Sequence, residues 1–310
     1  MKIKLPENLI VFFIGFLILI LSESCSEEKS TLREGERILL RLHLEQNDKF
    51  NVQIEITQNG TEHLNGASQV FDQSIKATIL LNVIEAQNGI YKIDAGFRDI
   101  QYVKEVPMQG RIEINSSDVN RDTTIDSNYT LAIEQLLQRR ITITIDSLGN
   151  ILDRAFMDQM KFDTSAANAR KPVKNILGQQ TTSKHNLELL FPFYPNDSVA
   201  EGAQWPQEIK LDSELPMSIK KKYSLESVGG DTVGIKVLSD IALSKGANQG
   251  EDTAQKTISG NQTEKIIIDR SNGWPIHVEI FSEIKVMERI GLKIIKTTTT
   301  TIKFNTEKLE

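Results

Sequence analysis

The side chains in this sequence best suited to chemistry are four histidines, one cysteine and scattered acidic pairs. His43, His63, His185 and His277 show no His-x-x-x-His spacing. The only cysteine, Cys25, lies directly after an apolar N-terminal run. A structural zinc site needs four clustered ligands, so we expect no metal site. His43 and His277 fall on the polar phase of predicted strands, which indicates solvated positions.

Catalytic signatures are also missing from the sequence. No Gly-x-Ser-x-Gly elbow, phosphate-binding glycine loop or dinucleotide fingerprint occurs. Asp118 and Asp122 could form a carboxylate dyad or a weak calcium site, but aspartates in a polar stretch usually cap turns. Because no nucleophile, base and orienting group come together, we expect a protein that is not an enzyme and uses no cofactor.

The residues before Cys25 follow the order of a secretory signal. Lys2 and Lys4 precede an apolar run at 9–21, and the small Ser24 precedes the cysteine. The run is shorter than the roughly twenty residues of a membrane-spanning helix. A signal ending in Ser-Cys resembles a bacterial lipoprotein signal, which implies that Cys25 is lipidated and becomes the mature N-terminus. The alternative is an uncleaved anchor, and both interpretations hold the domain at a membrane.

Acidic residues directly after the cysteine bear on location. Ser26, Glu27 and Glu28 resemble the surface-export signal of Bacteroidota lipoproteins. This resemblance implies a lipid-anchored protein of the cell envelope, in the outer membrane and facing the periplasm or the cell surface.

A second modification motif is Asp-Ser or Asp-Thr followed by an aliphatic residue or Thr. It resembles the O-glycosylation motif of exported Bacteroidota proteins. It occurs at Thr123, Ser147, Ser198, Thr232 and Thr253. Turn formation is the alternative explanation, because Asp-Ser and Asp-Thr are favoured in turns.

Composition excludes one class of partner. The net charge of −6 and the mixed distribution of charges leave no basic stripe for nucleic acid. The region after Cys25 has no further cysteine, so no intramolecular disulfide is available and a buried core must provide the stability.

Period-two alternation of apolar and polar residues predicts mostly strands. Residues 38–44 and 50–56 alternate, with 45–49 between them, and we interpret them as a hairpin. Asn88-Gly89 predicts a second hairpin with a type I′ turn. Residues 131–140 predict a short amphipathic helix.

Further elements follow along the chain. We expect helices near 156–160 and 175–190, a loop at 244–263, and strands at 141–145, 219–225, 233–237, 265–268, 274–286 and 290–304. The apolar face of residues 131–190 is too large to leave in water, so it should pack on a concave sheet surface. We expect Trp205 and Trp274 to be buried core residues.

Two segments suggest an internal repeat. The spacing of glycine and apolar residues after Glu34 matches that after Glu201, and residues 143–149 resemble 266–273. Few identities are involved, so chance is the alternative. A true repeat predicts two similar sheet units.

Two of these motifs also resemble a known group of proteins. Glu201-Gly202-Ala203-Gln204-Trp205 and the hairpin at 269–274 are similar to motifs of a family of uncharacterised Bacteroidota lipoproteins, over residues 32–305. The resemblance implies a location and no activity, because no activity, ligand or site is known for that family.

Together these patterns predict a β-rich α+β fold of two related antiparallel sheet units, as an open barrel or a sandwich, with a short helical segment between them. The predicted divisions are a signal peptide at 1–24, a polar tether at 25–33, a first sheet unit at 34–153, a helical connecting segment at 154–196 and a second sheet unit at 197–310.

Two classes of function stay open. In the first, the protein is not an enzyme and encloses an apolar cavity for a hydrophobic or lipid-like ligand. In the second, it is a structural or protein-interaction module of the outer membrane or cell surface, its core filled by its own side chains, with no small-molecule ligand. The sequence indicates no particular protein partner, whereas the membrane is a predicted partner through the lipid on Cys25. A sizeable apolar pocket would favour the first class.

Overall fold

The computed structural model describes residues 37–64, 67–106, 110–117, 127–152, 191–211, 217–243, 255–290 and 292–309. These residues contain one helix, α1, at Ser127–Gln138. They also contain eleven strands: β1 Lys49–Leu64, β2 Ala67–Gln87, β3 Ile90–Val106, β4 Gly110–Asn115, β5 Arg140–Asp146, β6 Gln204–Leu211, β7 Met217–Val228, β8 Thr232–Leu243, β9 Gln255–Asp269, β10 Pro275–Ile290 and β11 Leu292–Leu309.

All eleven strands belong to one antiparallel sheet that is not closed. Its order is β4-β3-β2-β1-β11-β10-β9-β8-β7-β6, and β5 pairs with the first half of β3 beside β4. The first strand therefore pairs with the last, which joins the two predicted groups of strands into one sheet. This confirms the predicted β-rich α+β fold with an open sheet, whereas the division into units stays a prediction.

The β2–β3 hairpin has the predicted turn. Asn88 and Gly89 have φ values of 53° and 73°, as a type I′ turn requires. The strands predicted after residue 217 are also present, and each is longer than the sequence pattern indicated.

The hairpin predicted from residues 38–44 and 50–56 is wrong. β1 pairs with β2 on one side and with β11 on the other, which leaves no edge for the earlier segment. Residues 37–48 make only one bridge, between Ile38 and Val199. Their alternation reflects an extended segment with one buried side, formed by Leu40, Leu42 and Leu44.

The loop predicted at 244–263 is wrong from Gln255 onward, where β9 begins. The start of β9 is rich in Gln, Thr, Ser and Gly, and this polar composition hid a strand that pairs on both sides.

Residues 244–254 lie outside the described residues, as do the helices predicted at 156–160 and 175–190, Cys25, Asp118, Asp122, Thr123, His185 and Thr253. Within the described part of the chain, no helix is long and apolar enough to cross a membrane.

Two irregular segments fill one end of the sheet, and we call them the plug: residues 37–48 and 191–203. Leu42 N donates a hydrogen bond to Ser147 O (2.9 Å), and Tyr91 Oη donates to Leu42 O (2.7 Å). The next residue, His43, donates from its backbone N to Asn272 O (2.8 Å). Two adjacent plug residues therefore bind β3, the turn after β5 and the β9–β10 turn.

These contacts show that the sheet is strongly curved. Strands β3 and β9 are five positions apart in the strand order, which is about 24 Å in a flat sheet. The edges approach one another as well, because Trp205 of β6 donates from Nε1 to Phe193 O (2.7 Å) and Tyr194 N donates to Leu148 O (3.0 Å) after β5. The face that carries the plug is therefore the concave one.

Aromatic side chains fill the core around the plug. Trp274 stacks on Phe50 with ring centroids 4.2 Å apart and meets Phe191 edge-on at 5.5 Å. Trp205 stacks on Tyr223 at 5.5 Å. Both tryptophans are buried, which confirms the prediction that they belong to the core.

Helix α1 covers another part of the concave face. Ile133 and Leu136 pack on a cluster that includes Ile75, Ile100 and Tyr102 of β2 and β3. The expectation that the segment starting at residue 131 packs on a concave sheet is confirmed for this helix.

We predict that Gly273→Ala destabilises the protein more than Gly202→Ala. Both glycines have positive φ (70° and 81°), where an L side chain costs roughly 1–2 kcal/mol. A Cβ at Gly273 would lie 2.0 Å from the carbonyl oxygen of Arg41 in the plug, whereas one at Gly202 would meet nothing within 4 Å. Chemical denaturation measures both losses, and equal losses would contradict the packing of plug against turn.

Candidate functional site

One row of cross-strand partners on the concave face is polar on nine neighbouring strands, and we call it the polar belt. From β6 to β3 it consists of Gln207, Lys221, Ser239, Gln262, Ser282, Thr300, Gln58, Gln73 and Lys104. Side chains alternate between the two faces of a strand. Each belt residue therefore takes one of the inward-facing positions of its strand, where an apolar residue would be expected.

The interruption is clear on β8. Val233, Ile235 and Val237 point inward, Ser239 follows at the same phase, and Ile241 resumes the apolar series. The belt therefore crosses a face that is otherwise apolar. Burial is high along much of it, including Gln73, Lys221, Ser239, Gln262 and Ser282.

A buried ion pair lies at the centre of the belt's C-terminal half. Lys221 Nζ is 2.8 Å from Glu264 Oε1, and the side chains are only 1% and 2% exposed. The pair reaches across β8, because Lys221 is on β7 and Glu264 is on β9. Gln262 Nε2 also donates to Glu264 Oε1, at 2.6 Å. Buried charges are tolerated when they are paired and hydrogen-bonded in this way.

Tyr223 adds a neutral donor beside the pair. Its Oη donates to Gln207 Oε1 at 2.9 Å. Burial raises the pKa of Tyr223 to about 12, against a smaller lowering by Lys221 and a raising by Glu264. The phenol therefore stays protonated at neutral pH.

Ser239 differs from its neighbours on the belt. In the described part of the chain, Ser239 Oγ is buried and has no hydrogen-bond partner. No other side-chain atom of the belt residues is in this position. Its register partners are Lys221 and Gln262. A buried hydroxyl without a partner costs ~1–3 kcal/mol, so folding alone gives no reason for a serine here.

The other half of the belt is internally bonded. Gln58 Nε2 donates to Thr300 Oγ1 at 3.3 Å, and Tyr102 Oη donates to Gln73 Oε1 at 3.4 Å. These are long hydrogen bonds between neighbouring strands. They join Gln58 to Thr300 and Gln73 to Tyr102 without a ligand.

Beyond the belt, on the side away from the plug, the concave face becomes apolar again. We call this set the rim cluster: the buried Ile241, Ile258 and Ile284 with the partly buried Met217, Ile219, Leu243 and Val286. Ile241 is the next inward residue after Ser239, about 7 Å along the strand. A polar row therefore separates the plug core from a second, partly accessible apolar patch.

The three predicted glycosylation sites among the described residues lie away from the belt. Ser147 is half-buried in the turn after β5, and Ser198 is half-buried beside the bridge of Ile38 and Val199. Thr232 is half-buried at the start of β8. Their glycosylation stays a prediction.

The described histidines are also outside the belt. His43 is exposed in the plug, His63 Nδ1 is 2.6 Å from Ser68 Oγ, and His277 Nδ1 is 2.7 Å from Asn305 Oδ1. Among the described residues, no three His, Cys, Asp or Glu side chains form a group that could hold a metal ion.

Two surface grooves are open to solvent and partly polar. One is lined by Glu226, Lys236 and Leu238 on the convex side of β7 and β8, and the other by Arg98 and Asp99 on β3. Neither is an enclosed apolar cavity of the kind that the first class of function predicts.

Sequence reasoning missed the polar belt, although a signal was present. Ser282 stands between Ile280 and Ile284 in the inward phase of β10, and Ser239 stands between Val237 and Ile241 in β8. A single polar residue inside an apolar phase, repeated on several strands, marks such a row once the register is known.

We predict that Lys221→Met alone lowers the free energy of unfolding by ~3–5 kcal/mol, because it leaves Glu264 buried without a partner. The double variant Lys221→Met/Glu264→Leu should recover wild-type stability or exceed it. Lys76→Met, which breaks the exposed pair with Glu55, is the control and should cost at most ~1 kcal/mol. Equal losses in the single and double variants, measured by denaturant titration, would contradict this account of the pair.

The chain is only weakly similar to solved structures of known proteins. No curated protein matches it. Among solved structures, it is similar to lipovitellin, from a study of lipid–protein interactions, with a TM-score of 0.41 and 8% identity over 86% of this chain. The match spans 26% of the lipovitellin chain.

Two other solved structures are more distant. An outer membrane channel from Pseudomonas putida F1 has a TM-score of 0.22 and 6% identity over 86% of this chain and 97% of that one. The translocator domain of the autotransporter NalP from Neisseria meningitidis has a TM-score of 0.21 and 4% identity, covering 95% of each chain. At these TM-scores none of the three likenesses carries an argument about function.

A family model does match. Residues 88–275, more than half of the chain, match a family of unknown function, DUF6263. The match runs from the β2–β3 turn to the first residue of β10, and it contains α1 and the belt residues Lys221, Ser239 and Gln262.

Proposed function

The chain belongs to DUF6263, a family of unknown function, and we propose that it is an exported lipoprotein, not an enzyme, that binds a hydrophobic or lipid-like ligand on its concave face. The observation that carries this proposal is the rim cluster beside the polar belt. Its seven apolar side chains include four that are only partly buried. Small-molecule sites usually combine an apolar concave surface with a few placed polar groups.

The energetics of the belt support binding. A buried ion pair such as Lys221–Glu264 contributes little net stability compared with apolar residues of similar volume. The unpartnered hydroxyl of Ser239 reduces stability further. These polar groups contribute little to the stability of the fold. Their presence is explained if they contact a ligand.

The alternative is a structural or protein-interaction module with no small-molecule ligand, and the plug end favours it. There Trp274, Phe50 and Phe191 fill the concave face with the protein's own side chains. The two candidates therefore differ in whether anything besides the chain itself occupies the rim cluster.

The anchor and the location rest on sequence. Cys25 and the apolar run at 9–21 support a lipid-anchored protein of the cell envelope, in the outer membrane and facing the periplasm or the cell surface. The motifs at 201–205 and 269–274 support membership of a Bacteroidota lipoprotein group. The membrane, through the lipid, is then the partner that the sequence supports, and the net charge argues against nucleic acid.

We predict that Cys25→Ala leaves the precursor uncleaved and that the wild-type chain begins at a diacylated or triacylated Cys25. Two or more acyl chains anchor a protein stably, at about 0.8 kcal/mol per buried methylene. Intact-mass analysis of protein from its own membranes tests both statements. Wild-type protein that retains residues 1–24 would refute the lipoprotein assignment.

We predict that Leu243→Ser weakens ligand binding by about tenfold, because it removes up to ~2 kcal/mol of apolar contact at the rim cluster. Leu238→Ser is the matched control, since it makes the same change on the same strand but on the convex face, where Leu238 is 49% exposed. A pyrene-labelled lipid reports affinity by fluorescence, and native mass spectrometry of protein from its own membranes detects co-purified ligand. No binding of the lipid, or equal effects of both variants, would favour the interaction module.

A further inference from the structure

The C-terminal half of the polar belt, with Lys221, Ser239 and Gln262, and the adjoining Glu264 together have the chemistry to select a headgroup. We infer that it binds the polar end of the ligand and that this end is uncharged and bears hydroxyl or amide groups. The inference rests on the proposed function, because it assigns a chemical class to the ligand of the same concave face.

Charge balance excludes a charged headgroup. Lys221 and Glu264 neutralise one another at 2.8 Å, with both side chains almost fully buried. An anionic headgroup would need a buried cation with no counter-charge, and a cationic headgroup would need a carboxylate with none. Placing a net charge beside a neutral buried pair carries a large desolvation cost.

Hydrogen-bonding capacity then indicates what the headgroup must offer. Ser239 Oγ has no partner among the described residues and can both donate and accept. The bonds from Lys221 and Gln262 both end on Oε1 of Glu264, and a carboxylate can accept further hydrogen bonds through its two oxygens. A hydroxyl or an amide can donate to the carboxylate and exchange a hydrogen bond with Ser239.

The geometry sets the orientation of the ligand. Ser239 lies between its register partners Lys221 and Gln262, and the next inward residue of β8 is Ile241 of the rim cluster. A headgroup on Ser239 therefore places the first methylenes of an attached chain about 7 Å away, on the rim cluster. A monoacylglycerol has this division into a neutral hydroxylated end and one apolar chain.

The test compares 1-monolauroylglycerol with laurate, two probes that share an acyl chain and differ in the headgroup. Binding to the delipidated full chain is measured by calorimetry. We expect monolauroylglycerol to bind at least tenfold more tightly than laurate. Ser239→Ala should weaken monolauroylglycerol about fivefold and leave laurate unchanged, while the convex-face control Ser224→Ala should change neither.

A second variant guards against a folding defect in the first. Lys221→Met/Glu264→Leu should also lose the preference for monolauroylglycerol while still binding laurate. If both probes bind but laurate binds as tightly or more tightly, or if Ser239→Ala and the double variant keep the preference, the headgroup assignment is overturned and the proposed function stands. If neither probe binds, both are overturned.

Discussion

Hydrogen bonds from two adjacent plug residues, Leu42 and His43, hold together turns and strands that a flat sheet would keep apart. The rest of the structure depends on that curvature. A flat sheet of this width would leave one face in water, and its polar row would be ordinary surface. Curving the sheet around the plug removes water from the row, so that the same side chains become a buried ion pair and an unpartnered hydroxyl. The close approach of Gly273 to the backbone of Arg41 shows how tightly the plug meets the turns.

Two physical effects compete to explain the polar belt. An ion pair that reaches from β7 to β9 penalises any slip in strand register, because a shift by one residue would move Lys221 or Glu264 to the other face. This would be a role in folding specificity, of the kind known for some buried polar groups. Ser239 does not fit it, since its hydroxyl bonds to nothing in the described part of the chain and so gives no preference for one register. A ligand accounts for both features, whereas register accounts for the ion pair alone.

Local features of the fold could be predicted from the sequence because they depend on nearby residues. Alternation revealed most strands, and Asn88-Gly89 revealed a hairpin through its backbone preference. Residues 38–44 misled because an extended plug segment with one buried side has the same alternation as a strand. The pairing of β1 with β11 joins the two ends of the chain, and no local pattern specifies it. The polar belt was missed for the same reason, because single residues such as Ser239 and Ser282 become a row only when the register aligns them.

The central claim is that the rim cluster and the belt beside it form a lipid site. It is tested most directly by photocrosslinking the full chain with a monoacylglycerol that carries a diazirine in its acyl chain, followed by peptide mass spectrometry. The account predicts adducts on Met217, Ile219, Leu243 and Val286, which are the partly buried residues of the rim cluster. Adducts concentrated instead on exposed convex-face residues such as Leu238 and Phe281 would contradict it.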